Sequence, residues 1–305
     1  MKLGVVFPGQ GSQRVGMGAA LAQEFAAARR TFAEASEVLG YDMLALCATG
    51  PEDKLGLTEF TQPAILTVSV AAYRVFAERE LVPAAGAGHS LGEYSALVAA
   101  GMLGFADAVR LVQTRGRAMQ QAVPVGQGKM AAVLGLEAGV VEAICAEAAQ
   151  GQVVAPANFN APGQIVISGH TQAVDRAAEL AKNRGAKRVL PLDVSAPFHC
   201  SLMEPAAREL AAALAAVSFQ APKFPVIANV DARPYAGTAD DARRRLTDQV
   251  GAPVRWEACA RGLGEVTHVL ECGPGKVVSA LVKRITPGVA LWNLETPADL
   301  AAWAS

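Results

Sequence analysis

A serine with a glycine two residues away on each side, Gly88-His89-Ser90-Leu91-Gly92, separates a run of small apolar residues at 84–88 from a helical pattern at 91–100. In that setting G-x-S-x-G is a tight strand-to-helix turn, and the glycines are needed because neighbouring backbones leave no room for side chains. The turn places Ser90 at a helix N-terminus, where free N–H groups and the helix dipole favour a developing oxyanion. Such a turn belongs to layered α/β folds. With 29 glycines in 305 residues the pentapeptide also arises by coincidence, so its meaning rests on what surrounds it.

The apolar run 3–7, stopped by Pro8 and Gly9-Gln10-Gly11, reads as a buried strand feeding a loop. Helical patterns follow at 17–39, 63–81, 91–100 and 105–122. From Gly128 the pattern changes. Strand 129–136, helix 137–149, strands 153–158 and 164–168, helix 171–184 and strand 187–194 give the order β-α-β-β-α-β, the signature of a ferredoxin-like unit. Glycines before it and Pro197 after it mark it as an insert. The expected fold is therefore α/β: a hydrolase-like large domain with a parallel sheet core, discontinuous over 1–127 and 195–305, carrying a ferredoxin-like subdomain at 128–194. Helices at 202–217, 239–250 and 256–263 and strands at 225–229 and 268–271 complete the large domain.

A serine nucleophile needs a base. Outside the elbow the chain has His170, His199 and His268. His170 follows an insert strand and His268 opens a strand, whereas His199 lies in a loop returning from the insert, where catalytic groups collect. Position favours His199 without excluding the others. Cys200 beside it reads more simply as a small buried hydrophobe than as a thiol nucleophile. On helix 105–122, Ala108, Leu111, Val112, Met119 and Ala122 form an apolar stripe with Arg115 in its middle, while Arg110 and Arg117 fall on the opposite face. An arginine so placed needs a buried anion. Either a structural carboxylate such as Glu93 or a bound carboxylate satisfies that need, since guanidinium grips carboxylate through two hydrogen bonds.

Composition removes several function classes. Lys and Arg number 27 against 28 Asp and Glu, which argues against a nucleic-acid partner. Hydrophobic residues make up 52%, enough to exclude disorder. The longest uncharged stretch, 151–174, is broken by Pro156 and Pro162, so no membrane association is expected. Five cysteines without a C-x-x-C pair speak against a disulfide framework or a zinc site and for a reducing compartment. The N-terminal apolar run is too short for a signal peptide, and the cytoplasm is the expected location.

Taken together, Phe7-Pro-Gly-Gln-Gly-Ser-Gln13, Gly88-His-Ser-Leu-Gly-Glu-Tyr94, Arg115, Ala196-Pro-Phe-His199 and Gln249-Val-Gly-Ala-Pro-Val-Arg-Trp256 resemble the malonyl-CoA:acyl carrier protein transacylases, acyltransferases of fatty-acid and polyketide synthesis. The resemblance spans nearly the whole chain. It implies Ser90 as the acyl-accepting nucleophile, His199 as its base and Arg115 as the group holding the malonyl carboxylate. It also implies backbone N–H groups of Gln10 and Leu91 as the oxyanion hole and the backbone carbonyl of Gln249 as the group orienting the histidine. Phe198 and Leu91 occupy positions that accompany malonyl rather than methylmalonyl selectivity in polyketide relatives.

The reaction so implied takes malonyl from malonyl-CoA onto Ser90 and then to the phosphopantetheine thiol of acyl carrier protein, with no metal or redox cofactor, in an enzyme acting as a monomer. Arg243-Arg244-Arg245 and Lys187-Arg188 are candidates for meeting an acidic carrier, against the simpler reading of solvated charge. The competing functions are a serine hydrolase such as a thioesterase, with His268 as base, and a non-catalytic scaffold for acyl-CoA or carrier protein.

Overall fold

The computed structural model describes residues 1–304. Its strands are β1 (Leu3–Phe7), β2 (Ala85–Gly88), β3 (Gly128–Leu134), β4 (Val154–Ala161), β5 (Gln164–His170), β6 (Arg188–Pro191), β7 (Val226–Ile227), β8 (His268–Cys272) and β9 (Ala290–Leu294). One sheet has the order β7-β2-β1-β8-β9 with every pairing parallel. The other has the order β4-β5-β3-β6 and is antiparallel. The α/β class with a parallel sheet core is thus the observed one.

β1 is buried along its whole length, as a central parallel strand covered by helices on both faces must be. Its side chains alternate accordingly. Val5 and Phe7 join a large core with helices Thr58–Ala77 and Phe105–Gln121, whereas Val6 joins a smaller core with Trp256, Val278 and Val282 on the opposite face. In the antiparallel sheet, Ala131, Val133, Ile165 and Ile167 pack under helices Ala138–Ala149 and Thr171–Asn183 to form a third cluster. The other face of that sheet, through Met130, Ala132 and Val166, joins the main core. β4 passes through Pro156 because its pairing with β5 is irregular there, and a bulge tolerates a residue that cannot donate. Beyond the bulge, Phe159 N donates to Val254 O at 2.9 Å and ties β4 to the segment leading into helix Trp256–Gly262.

Several boundaries depart from the sequence expectation. The helix expected over 17–39 is two, Ala19–Glu24 and Ala26–Leu39, broken at Phe25, whose extended backbone (φ −106°, ψ 126°) lets its ring pack against the main core. The helix expected over 63–81 spans Thr58–Ala77, with Pro63 in its interior rather than at its start. The strand expected over 225–229 pairs only at Val226 and Ile227, since Asn229 is engaged elsewhere. β9 and the helices Val277–Ile285 and Pro297–Ala304 were not anticipated. Among the described residues no helix is long and apolar enough to cross a membrane.

Candidate active site

β2 ends at Gly88 and helix Gly92–Ala99 begins four residues later, so the elbow turns in minimal space. A Cβ on Gly88 would lie 1.8 Å from Gly92 O, and one on Gly92 would lie 2.3 Å from Phe7 O. Neither position admits a side chain. Ser90 adopts φ 51°, a left-handed conformation of the kind stored at functional turns. Asn229 clamps it from both sides: Ser90 N donates to Asn229 Oδ1 at 2.8 Å, and Asn229 Nδ2 donates to Gly88 O at 2.8 Å.

Ser90 Oγ lies 2.8 Å from His199 Nε2, and His199 Nδ1 lies 2.9 Å from Gln249 O. A carbonyl only accepts, so the proton of neutral His199 sits on Nδ1, and Nε2 accepts from the serine hydroxyl. The histidine too has a left-handed backbone, φ 58°. Burial, with the positive charge of Arg115 added, pushes its pKa down to about 3, so the ring stands ready as a base.

Arg115 is 1% exposed. Its Nη2 donates to Ser90 Oγ at 3.0 Å and to Gln249 Oε1 at 2.9 Å, and its Nη1 donates to Gln62 Oε1 at 2.8 Å. All three acceptors are uncharged, and Nε has no partner among the described residues. A direct salt bridge to Glu93, one of the two readings left open by the sequence, is not formed. Instead Gln249 Nε2 donates to Glu93 Oε2 at 2.7 Å and to Ser90 O at 2.9 Å, and stands between the two charges. The amide can face only one way, with oxygen toward the guanidinium and nitrogen toward the carboxylate. Glu93 is fully buried and also accepts from Tyr235 OH and from Asn229 N at 3.1 Å. Burial raises its pKa to about 7 against the opposing pull of these donors and of Arg115.

These groups line a cavity of about 740 Å³ walled by Gln10, His89, Ser90, Leu91, Arg115, Met119, Met130, Phe198 and His199, where the two sheets meet. No hydrogen bond from the backbone N–H of Gln10 or Leu91, both of which line it, is made to another of the described residues. Gln10 is held by its side chain, Nε2 donating to Thr58 Oγ1 at 3.2 Å. His89 Nε2 donates to Asn160 Oδ1 at 2.8 Å, linking the elbow to β4. The side chains of Gln62, Asn229 and Gln249 were not singled out from sequence. Of the three, Asn229 alone carried a sequence signal, as a polar residue inside the apolar run 224–230.

Other candidates lie elsewhere. His268 bonds to Thr267 at 2.7 Å and stacks on Trp292, and His170 accepts from Val153 N at 2.9 Å, so neither faces Ser90. Cys200 is buried with its thiol pKa raised by that burial. Arg110 and Arg117 are on the surface, paired with Asp107 and Glu209. The basic run at 243–245 is spent within the fold: Arg245 is buried against Asp231 and Asp241, Arg244 pairs with Asp241 and Asp248, and Arg243 bonds to Leu214 O and Val217 O. A concavity of about 680 Å³ over the insert helices, lined by Glu147, Arg176 and Glu179, holds none of the site groups. Among the described residues, no group of three or more His, Cys, Asp or Glu is placed to hold a metal ion.

Residues 5–280 match the acyl transferase domain family. The chain is 52% identical over 300 residues to the malonyl CoA-acyl carrier protein transacylase of Escherichia coli K12, covering 97% of each chain. It is 47% identical to the protein of that name from Bacillus subtilis, covering 93% of this chain and 90% of that one. Among solved structures, an acyl carrier protein S-malonyltransferase from Vibrio cholerae superposes with a TM-score of 0.97 at 51% identity, covering 99% of this chain and all of that one. A malonyl-transacylase solved in complex with its type II polyketide acyl carrier protein gives a TM-score of 0.96 at 48% identity, covering 99% and 98%.

Proposed function

This chain belongs to the acyl transferase domain family, and from that membership and the geometry around Ser90 we infer that it is a malonyl-CoA:acyl carrier protein S-malonyltransferase. Malonyl passes from the CoA thioester to Ser90 and from Ser90 to the phosphopantetheine thiol of acyl carrier protein. The observation that carries this reading is the placement of Arg115 Nη2 3.0 Å from Ser90 Oγ. A permanent positive charge with only neutral partners, beside the nucleophile, suits an acyl group that brings its own carboxylate.

In the first step His199 Nε2 takes the Ser90 proton as Oγ attacks the thioester carbonyl. The N–H groups of Gln10 and Leu91 receive the oxyanion, a role supported by their unpaired state at the cavity wall. Gln249 O holds the imidazole through Nδ1 and keeps it in the productive tautomer. Collapse expels CoA thiolate, which His199 protonates. Once Oγ is an ester oxygen it is a poorer acceptor, and Arg115 Nη2 is released to join Nε–H, or the spare Nη1–H, on the malonyl carboxylate. The second step reverses these roles with the carrier thiol as nucleophile. A thioester is reactive enough for a serine, a base and an oxyanion hole, so the transfer needs no metal or redox cofactor.

Our division into a discontinuous catalytic domain, 1–127 and 195–305, and a subdomain, 128–194, is supported by the separate apolar cluster under the insert helices. We place the enzyme in the cytoplasm as a monomer. The five cysteines are all buried and free, in keeping with a reducing compartment. Intact-mass measurement after mixing with malonyl-CoA tests the function: a malonyl adduct that is absent in Ser90→Ala, survives in water and discharges to holo-acyl carrier protein is expected. Rapid loss of the adduct to water would instead identify a hydrolase.

A further inference from the structure

Glu93 lies three residues beyond the nucleophile, and no step of the transfer uses it directly. Its carboxylate faces donors only: Tyr235 OH at Oε1, and Gln249 Nε2 and Asn229 N at Oε2. A neutral amide would satisfy nearly the same set, and burying a carboxylate is costly unless its charge is answered. The charge that answers it is that of Arg115, on the far side of the Gln249 amide.

The reaction explains why a negative charge is wanted there. When His199 takes the serine proton it becomes imidazolium in a buried site that already holds a guanidinium. In a Ser-His-acid triad a carboxylate on Nδ1 stabilises that cation. Here Nδ1 meets the neutral carbonyl of Gln249, and the nearest compensating charge sits behind the side chain of the same residue. A malonyl group adds a carboxylate of its own beside Arg115, whereas an acetyl group adds none.

We propose that Glu93 is a positioning residue that, through the side-chain amide of Gln249, holds Arg115 over Ser90 and supplies the negative charge a triad would place on His199, and so sets how strongly the enzyme prefers acyl groups that carry a carboxylate. The proposal rests on malonyl transfer through Ser90. With Glu93 neutralised, acetyl transfer loses its only compensating charge, while malonyl transfer retains the substrate's and is freed from repulsion by Glu93. Both effects raise the preference for malonyl.

The test is the ratio of acylation kcat/KM for malonyl-CoA to that for acetyl-CoA in wild type, Glu93→Gln and Glu93→Asp. Glu93→Gln should lower both rates but raise the ratio about tenfold, the order expected for removing one charge from a partly shielded interior. Glu93→Asp keeps the charge and should hold the ratio within about twofold of wild type, even where misplacement slows both reactions. An unchanged or lowered ratio in Glu93→Gln overturns the proposal, because a role in packing alone slows both acyl groups alike. If Glu93→Gln does not fold, a Glu93→Asp ratio raised tenfold overturns it and a retained ratio upholds it. Failure of the underlying reading is distinct: wild type would then form no acyl-serine from either thioester.

Discussion

Glu93 and Arg115, the buried opposite charges of the site, do not touch: the amide of Gln249 lies between them, 2.7 Å from the carboxylate and 2.9 Å from the guanidinium. The backbone of the same glutamine holds His199. One residue therefore holds the histidine through its backbone and Arg115, Glu93 and the serine carbonyl through its side chain, so Gln249→Ala keeps the first contact and loses the others. Acylation by malonyl and acetyl should both fall, with a larger loss in kcat than in KM, measured by single-turnover kinetics.

Arg115→Ala removes the guanidinium that we infer holds the malonyl carboxylate. Loss of a buried, hydrogen-bonded charge pair costs ~2–5 kcal/mol, or roughly 30- to 4,000-fold in malonyl kcat/KM. Acetyl transfer should lose far less. Equal losses for the two acyl groups would make Arg115 a purely structural arginine.

His199→Ala should slow Ser90 acylation by ~10²–10⁴-fold, the usual contribution of a positioned base. His268→Ala should leave the rate near wild type, because His268 is stacked on Trp292 away from the cavity. The comparison needs only thioester consumption at fixed malonyl-CoA.

The pH dependence separates two buried groups. His199, held at about 3, is neutral across the working range, so neither rate should show an acid limb near the ordinary histidine value of ~6.5. Glu93, raised to about 7, gains a proton as the pH falls through neutrality and loses its negative charge. The groups facing it are Tyr235, Gln249, Asn229, Arg115, Tyr94 and Cys259. Lowering the pH from 8 to 6 should therefore raise the malonyl-to-acetyl ratio in wild type and leave it flat in Glu93→Gln. A ratio independent of pH in wild type would contradict the assignment.

Asn229→Ala should destabilise the protein by ~1–3 kcal/mol, because the Ser90 N–H and Gly88 carbonyl would be left unsatisfied at a strained turn. Denaturant unfolding measures this loss, and Ser90 reactivity should fall with it.

The elbow was legible in sequence because glycine spacing has one steric cause, seen in the 1.8 Å and 2.3 Å approaches at Gly88 and Gly92. Arg115 was legible because its stripe is periodic, but its partners were not. Which acceptor a buried guanidinium meets depends on residues such as Gln62 and Gln249, brought from 53 and 134 positions away. The ferredoxin-like order was readable from alternation, whereas β9 at the sheet edge is only partly buried and carries a weak pattern. The sequence reads as one helix over 17–39 because no glycine or proline marks the break at Phe25, which tertiary packing imposes.

β1 lies at the centre of the parallel sheet, and one of its two neighbours, β8, is made only when residues 268–272 have left the ribosome. β1 must then wait, one flank open, until all the residues between it and His268 have been synthesised. Pairing across such a span is entropically expensive and slow. Ser90 likewise emerges 109 residues ahead of His199, the base we infer for it. On that reading, a growing chain carries its nucleophile before the base that would activate it has been made.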